Sequence, residues 1–213
     1  MAKSKIAQYQ FNTEPVVVVT PEAETLFMCL ADVNEVSGCY GGKLVFTKNA
    51  LNSQVKFKKG KGKEEKGTFK EIINDMLDEA YNELVSAGKK VTKVDKITVN
   101  TDKDGVSTGK FEMSCKNQEQ PKIINKDRTV EKDFTTLLSN GSTMKAQLYL
   151  KPYTMQGKVG TQGKVGITAY LNTALLLDIK EYGSGSDMFD DDDFDDTSAD
   201  FDDTTSDDDG DDY

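Results

Sequence analysis

The chain has 213 residues, of which 27 are basic and 37 acidic, giving a net charge of −10. It contains no histidine, and its three cysteines, Cys29, Cys39 and Cys115, are widely spaced. The lack of histidine excludes histidine-based triads, histidine metal sites and imidazole general bases. An odd number of scattered cysteines indicates reduced, buried thiols in a cytosol rather than a disulfide framework. The composition therefore argues against an enzyme, and we expect no cofactor or metal ion.

The charge is divided unevenly along the chain. Residues 183–213 contain 15 Asp and no Lys or Arg, which leaves residues 1–182 with 27 basic and 22 acidic side chains, a net charge of +5. A block of like charges repels itself and does not fold. We therefore expect one folded domain over residues 1–182 and a disordered acidic tail over residues 183–213. The tail either only keeps the protein in solution or docks on a basic surface, and its aromatic residues favour docking.

Hydropathy gives no sign of export or of membrane insertion. The first five residues are mostly polar, and no apolar run approaches the roughly 20 residues of a membrane span. We expect a soluble protein.

Short runs rich in β-branched residues predict four strands in the first 58 residues. These runs are residues 15–20, 26–33, 44–47 and 54–58. The next segment, residues 58–67, consists of Lys, Gly and Glu and contains no apolar side chain to bury. It therefore predicts a mobile loop.

A single clear helix is predicted over residues 68–87, because apolar side chains recur there at helical spacing. The apolar stripe comprises Phe69, Ile72, Ile73, Met76, Leu77, Ala80, Tyr81, Leu84 and Val85. Thr68 and Glu71 have the spacing of a capping box, and Gly88 is placed to end the helix. We expect the stripe to pack in the core rather than to bind a partner.

Strands are predicted again after the helix, over residues 93–100, 108–116, 121–125, 143–153 and 164–179. Asp104 and Gly105 predict a hairpin turn between the first two, because the ligand spacing and final Glu of a calcium loop are missing. No glycine-rich stretch has the spacing of a phosphate-binding loop.

The last two strands form a hairpin whose two faces differ in chemistry. Strand alternation sends one set of side chains to an apolar face, namely Met144, Ala146, Leu148, Leu150, Val165, Ile167, Ala169 and Leu171. The other face is aromatic and cationic, with Lys145, Gln147, Tyr149, Lys151, Tyr153, Lys164, Thr168 and Tyr170. The glycine-rich connector, residues 154–163, adds Lys158.

Lysines interleaved with exposed tyrosines are suited to binding a single strand of nucleic acid, because cations follow phosphates while rings stack on unpaired bases. Of the 27 basic residues, Arg128 is the only Arg, so bidentate reading of guanine edges is scarcely available. The pattern therefore predicts sequence-independent binding. The alternative is that Tyr149 and Tyr170 are cross-strand neighbours that stabilise the sheet while the lysines solvate it.

The chain resembles the single-stranded DNA-binding proteins of tailed phages, which join an OB-fold body to an acidic tail that ends in an aromatic residue. The resemblance spans most of the chain. It is densest over residues 141–153 (GSTMKAQLYLKPY), residues 175–179 (LLLDI) and the Asp-rich end at Tyr213. Met155 stands where the family pattern has a larger aromatic residue, and the last residue is Tyr rather than Phe.

The resemblance implies a mainly β, OB-fold-like barrel with one added helix, in a phage protein of the host cytoplasm that acts in DNA replication, recombination and repair. It further implies a homodimer, a base-stacking role for Tyr153 and a phosphate contact for Lys151. The acidic tail would contact the phage DNA polymerase and helicase/primase. The tail residues expected to make these contacts are Phe189, Phe194, Phe201, Asp211, Asp212 and Tyr213.

Two other functions remain open from the sequence. An acidic-tailed interaction module that imitates DNA would need only the tail. A carboxylate-based nuclease would need a cluster of acidic residues in the body, and no such cluster is evident.

The residues expected to contact DNA are Lys145, Tyr149, Lys151, Tyr153, Lys158, Lys164 and Tyr170.

Overall fold

A computed structural model describes residues 9–155 and 162–180. Within these residues the chain forms twelve strands and two helices. In chain order they are β1 (Val16–Val19), β2 (Ala23–Asn34), β3 (Cys39–Phe46), α1 (Lys48–Leu51), β4 (Gln54–Lys59), β5 (Glu64–Thr68), α2 (Phe69–Ser86), β6 (Val91–Lys93), β7 (Thr98–Thr101), β8 (Ser107–Asn117), β9 (Lys122–Ile124), β10 (Val130–Glu131), β11 (Thr143–Met155) and β12 (Gly163–Asp178).

The described strands belong to one curved sheet with the order β10-β9-β12-β11-β2-β3-β8-β7. A second arm, β1-β4-β5, is hydrogen-bonded to β11, and β6 is paired with β12. The sheet curls until β8 lies beside β12, where the Asn117 amide donates a 3.1 Å hydrogen bond to the carbonyl of Leu171. A register shift between Gln147 and Leu148 bends the long β11–β12 hairpin, as a bulge does in a closed barrel. The result is an OB-like barrel.

The interior of the barrel follows the predicted alternation of the β11–β12 hairpin. Met144, Ala146, Leu148 and Leu150 are fully buried. Their counterparts on β12 are also buried, namely Val165, Ile167, Ala169 and Leu171. Because strand side chains alternate between two faces, the same periodicity leaves the opposite face of the hairpin to solvent.

Helix α2 closes one end of the barrel. Seven of the nine predicted stripe residues are buried, while Tyr81 is half-buried and Val85 is 47% exposed. The rings of Phe69 and Phe46 meet with centroids 5.3 Å apart. The stripe therefore packs in the core, as the sequence predicted.

The ends of α2 agree with the sequence at one terminus and differ at the other. Gly88, with φ +71°, and Lys89 donate backbone hydrogen bonds to the carbonyls of Val85 and Leu84, both at 2.9 Å, which closes the helix as expected. Thr68 is the N-cap residue, but its side chain makes no capping hydrogen bond. Its hydroxyl instead accepts a 3.2 Å hydrogen bond from the amide of Gln54, its cross-strand partner. The predicted capping box is therefore wrong.

Three further expectations on local structure are corrected. Residues 64–67 of the expected loop, together with Thr68, form the edge strand β5. Its side chains are mostly charged, and Glu64 forms a 2.7 Å ion pair with Lys56 of β4. The strand predicted over residues 93–100 is split into β6 and β7, which pair with different neighbours. Cys29 and Cys39 are only partly buried, whereas Cys115 is buried, and all three are free thiols.

The mainly β, OB-like class with one long helix is confirmed, with the single-turn α1 as an addition. The turn at Gly105, with φ +79°, joins β7 and β8 as predicted. No helix of the described residues is long and apolar enough to cross a membrane. The predicted tail, residues 183–213, lies outside the described residues, and its boundary stays a prediction.

Candidate nucleic-acid interface

The aromatic and cationic face of the β11–β12 hairpin is built by direct cross-strand pairs. Tyr149 lies opposite Tyr170, Lys151 opposite Thr168, and Tyr153 opposite Gly166. Pro152 is buried opposite Ile167, so the alternation continues through the proline. Tyr153 therefore lies on the same face as Tyr149 and Lys151, as the sequence predicted.

The rings of Tyr149 and Tyr170 contact each other across the two strands. Their centroids lie 6.2 Å apart and their planes are inclined by 46°, an arrangement that stabilises a sheet. Tyr170 is nevertheless 36% exposed. The pair thus supports the sheet and still offers aromatic surface to a ligand.

The ring of Tyr153 lies directly against the backbone of β12. A Cβ atom added at Gly166 would lie 2.7 Å from the Tyr153 hydroxyl and 2.8 Å from its ring carbons. Only glycine leaves room for the ring in this position. Gly166 is therefore a specific requirement for the placement of Tyr153, and its role is not evident from a pattern of strand alternation.

A cleft of about 570 Å³, here called the first cleft, runs along this face. Its hairpin wall contains four of the predicted site residues, which are Tyr149, Lys151, Tyr153 and Tyr170. Its other wall is the segment 9–13, with Tyr9 and Phe11 in edge-to-face contact at 5.0 Å. Sequence reasoning missed this segment, and its two aromatic residues, Tyr9 and Phe11, were the signal that was available.

Glu83 of α2 fastens the segment 9–13 to the body. Its carboxylate accepts hydrogen bonds from the backbone N–H groups of Asn12 (2.8 Å) and Thr13 (3.0 Å) and from both of their side chains. Burial alone would raise the pKa of Glu83, but these hydrogen bonds and one from Tyr9 hold the pKa below its usual value. The Tyr9 pKa is raised by burial and by the nearby Glu83 charge. One carboxylate thus orders a whole wall of the first cleft.

A second cleft, of about 560 Å³, lies over β2, β3 and β8. Tyr153 and Thr168 line both clefts, so the two adjoin along β12. The second cleft also carries two exposed or half-exposed rings and three lysines, namely Phe27, Tyr40, Lys43, Lys96 and Lys116. None of these five was among the predicted site residues.

The lysines of the second cleft differ in how they are paired. Lys43 forms a 2.7 Å ion pair with Glu112, whose other oxygen accepts a hydrogen bond from Asn100. Lys96 is partly buried, and no ion pair to it is found among the described residues. Burial lowers the pKa of Lys96, and the charge of Lys116 lowers it further. A bound anion, such as a phosphate group, would therefore stabilise the charged form of Lys96.

Cys115 lies close enough to Lys96 for the two groups to influence each other. Burial raises the pKa of the Cys115 thiol to about 11, although Lys96 and a hydrogen bond from Gly42 act in the opposite direction. The thiol therefore stays protonated at neutral pH and is a structural group.

Two of the predicted lysines, Lys145 and Lys164, do not line either cleft. Lys145 lies opposite Leu175, and Lys164 lies opposite Met155 at the far end of the hairpin. Lys158 is outside the described residues, as are all the predicted tail residues. The structure therefore brings together the three tyrosines and Lys151. Among the described residues, no group of three Asp, Glu or Cys side chains is placed to hold a metal ion.

The barrel with its added helix is similar in fold to solved structures of phage single-stranded DNA-binding proteins. The chain is similar to gp2.5, a single-stranded DNA-binding protein encoded by bacteriophage T7, at 12% identity and a TM-score of 0.54, covering 85% of this chain and 92% of that one. It is also similar to the single-stranded DNA-binding protein of bacteriophage Enc34 in complex with single-stranded DNA, at 14% identity and a TM-score of 0.52, covering 85% and 100%.

A C-terminally truncated form of the Enc34 protein gives a similar result, with 14% identity, a TM-score of 0.51, and coverage of 84% of this chain and 98% of that one. Neither a protein-family model nor a curated protein sequence matches the chain. At this level of identity the likeness shows a shared fold. The resemblance seen in the sequence is confirmed at that level.

Proposed function

We propose that the protein binds single-stranded DNA without regard to sequence, has no enzymatic activity, and acts in phage DNA replication and recombination. The observation that carries the proposal is the open face of the β11–β12 hairpin, where Tyr149, Lys151, Tyr153 and Tyr170 line one cleft. Rings at this spacing stack on bases whatever their identity, and the lysine neutralises phosphate.

The placement of the rings favours a single strand over a duplex. The rings lie within clefts rather than on a protruding helix or ribbon, and the unpaired bases of a single strand are free to enter a cleft. In a duplex the same bases are stacked and paired inside the helix. The shared fold with DNA-binding phage proteins supports the same choice.

The acidic tail has a second role in this proposal. With 15 Asp and three Phe, residues 183–213 imitate phosphates and bases together. The tail competes with DNA for the basic clefts and, once displaced, recruits the phage polymerase and helicase/primase through Tyr213 and its neighbours. Homodimer formation belongs to the same proposal. The tail's composition also supports an alternative function, a DNA-mimicking interaction module whose body does not bind DNA.

The deciding experiment measures binding of the tail-less body, residues 1–182, to oligo-dT over a salt series. A single-stranded complex should lose affinity with a slope of log affinity against log salt of about −0.7 per phosphate neutralised. Five contacts would thus give a slope of roughly −3.5. Duplex DNA of the same length serves as the matched control and should bind much more weakly. If the tail-less body does not bind oligo-dT even at low salt, the DNA-mimic alternative is favoured, in which the tail binds a protein partner.

A further inference from the structure

Strand β2 is interrupted at Phe27 by a bulge. The pairing of β2 with β3 shifts register between Leu26 and Cys29. Phe27 has φ +51°, and in the described residues Arg128 is the one other non-glycine residue with positive φ. For a bulky side chain the left-handed region is unfavourable, and such strain persists where the surroundings hold it. The strained backbone at Phe27 therefore suggests a role for the side chain that the bulge exposes.

Asn140 holds the bulge from a distant part of the chain. Its side-chain oxygen accepts a 2.8 Å hydrogen bond from the backbone N–H of Phe27. The same loop is fixed to Thr25 on both sides, since Gly141 donates to the Thr25 carbonyl (2.9 Å) and Thr25 donates to the carbonyl of Ser142 (2.8 Å). The backbone at Phe27 is thus locked by three long-range hydrogen bonds around it.

The phenyl ring of Phe27 does not pack in the core. Phe27 is 67% exposed and is the most exposed aromatic side chain of the described residues. Exposure of a large apolar ring has a free-energy cost in water. A strained backbone combined with an exposed ring favours a binding role over a packing role.

The surroundings of Phe27 match a nucleobase attached to an anionic backbone. Phe27 lines the second cleft together with Lys96 and Lys116. The cleft floor includes Gly41 and Gly42, where an added Cβ would lie 2.3 Å from the Cys115 carbonyl oxygen and 2.6 Å from the Phe27 carbonyl oxygen, respectively. Strands β2, β3 and β8 thus approach closely without intervening side chains, which leaves a floor of backbone beside a ring and two cations.

We propose that Phe27 is a second base-stacking ring, presented by the locked β2 bulge, so that one nucleic-acid strand passes from the first cleft over Tyr153 to the second cleft. This inference rests on the proposed single-stranded DNA binding and extends it. The occupied length of strand is then set by two separate aromatic platforms, one on the β11–β12 hairpin and one on β2.

The test uses full-length protein and dT oligonucleotides of increasing length. For a strand long enough to reach both clefts, Phe27→Ala should weaken binding about 5- to 150-fold, the range for loss of one base stack. The shortest oligonucleotides that bind should lose little, because the hairpin tyrosines suffice for them. Phe27→Leu, which keeps the apolar volume without the ring, should behave like Phe27→Ala, and Phe27→Trp should retain binding.

A stability measurement separates a binding role from a packing role. Phe27→Gly removes the ring and also relieves the positive φ, which glycine adopts freely. We therefore expect Phe27→Gly to bind long oligonucleotides as weakly as Phe27→Ala and to melt at a higher temperature than the wild type. Asn140→Ala should weaken binding of long oligonucleotides, and adding it to Phe27→Ala should cause little further loss.

Three results would overturn the inference. Unchanged binding of long oligonucleotides by Phe27→Ala would show that the ring does not stack on bases. If Phe27→Ala changed the oligomeric state in light scattering but left DNA binding unaffected, Phe27 would be a contact between protein chains. If the tail-less body, residues 1–182, with Phe27 intact bound no oligo-dT, the proposed function itself would be refuted, an outcome visible before any Phe27 variant is compared.

Discussion

At the scale of single residues, Tyr153 has the most specific position in the candidate site. It lines both clefts and packs on the backbone of Gly166. Tyr153→Ala should weaken oligo-dT binding by about 5- to 150-fold, because one base stack contributes roughly 1–3 kcal/mol. Fluorescence titration of the two proteins at one salt concentration measures the difference.

Tyr81→Ala is the matched control for that substitution. Its ring lies half-buried on α2, where the ammonium of Lys93 lies 4.8 Å from the ring centroid. This variant should lower the melting temperature and leave DNA affinity nearly unchanged. If Tyr153→Ala instead destabilised the fold without altering affinity, Tyr153 would be a packing residue.

Lys96 supports a prediction in which stability and binding change in opposite directions. Burial of the ammonium lowers its pKa, which means that the charged form is disfavoured in the folded protein and costs stability at neutral pH. Lys96→Met keeps the alkyl stem and removes the charge, so the melting temperature should rise. Affinity for oligo-dT should fall, and the salt slope should become shallower by about 0.7.

Lys116→Met is the control for Lys96, because Lys116 lies in the same cleft but is exposed. It should weaken DNA binding and raise the melting temperature less than Lys96→Met does, because it removes only the repulsion of Lys96 and not a buried charge. A Lys96→Met protein that is less stable than the wild type would show that the ammonium has a stabilising partner in the folded state.

At the scale of elements, the wall of the first cleft formed by residues 9–13 depends on one carboxylate of α2. Hydrogen bonds hold the pKa of Glu83 below its ordinary value of 4.5. A lowered folded-state pKa adds stability that is present above the unfolded-state pKa and is lost as pH falls through the folded-state pKa. The segment should therefore detach from α2 under acidic conditions, below about pH 4.5.

Glu83→Gln tests this link between the helix and the cleft. The variant cannot carry the charge, so its segment should exchange amide hydrogens faster at neutral pH, with little further change on acidification. Hydrogen exchange of residues 9–13 in both proteins between pH 7 and pH 3 measures the effect. Equal exchange in the two proteins at neutral pH would mean that the segment is held by its aromatic contacts instead.

The elements also show what a sequence can and cannot predict here. Alternation of Met144, Ala146, Leu148 and Leu150 fixes the buried face of β11, because a strand has a period of two and one face must be apolar. Gly88 marks the end of α2 for an equally local reason. Strand β5 was missed because an edge strand needs only backbone pairing and tolerates charged side chains on both faces.

The parts of the site that were missed depend on long-range contacts. The hydrogen bond between Asn12 and Glu83 joins residues 71 positions apart in the sequence, and the one between Phe27 and Asn140 joins residues 113 positions apart. No local periodicity contains such pairs. The exposed ring of Phe27 lies in an apolar run that predicts an ordinary strand, and only its backbone angle distinguishes it.

At the scale of the whole molecule, charge is the dominant variable. Residues 1–182 carry +5 and residues 183–213 carry −15, and the proposed competition of the tail with DNA rests on attraction between these opposite charges. Residues 183–186, Gly-Ser-Gly-Ser, have the composition of a flexible linker. A short flexible tether gives an effective concentration near millimolar, so under the proposed function even weak docking of the tail would compete with DNA for much of the time.

Cutting the chain after Tyr182 should therefore raise the affinity for single-stranded DNA and abolish recruitment of the replication partners. The gain in affinity should shrink as salt is added, because the Debye length falls to about 10 Å at 0.1 M. Titrating oligo-dT into full-length and truncated protein over a salt series measures this gain. A tail in which the 15 Asp are replaced by Asn is the matched control, since it keeps the length and the rings but loses the charge.

The control distinguishes competition by charge from competition by the aromatic residues. If charge dominates, the Asn tail should give the affinity of the truncated protein at every salt concentration. If the rings also dock, the Asn tail should still weaken DNA binding, and this residual effect should not depend on salt. Equal affinities of the full-length and truncated proteins at low salt would show that the tail does not enter the clefts, and its part in recruitment would then have to be independent of DNA.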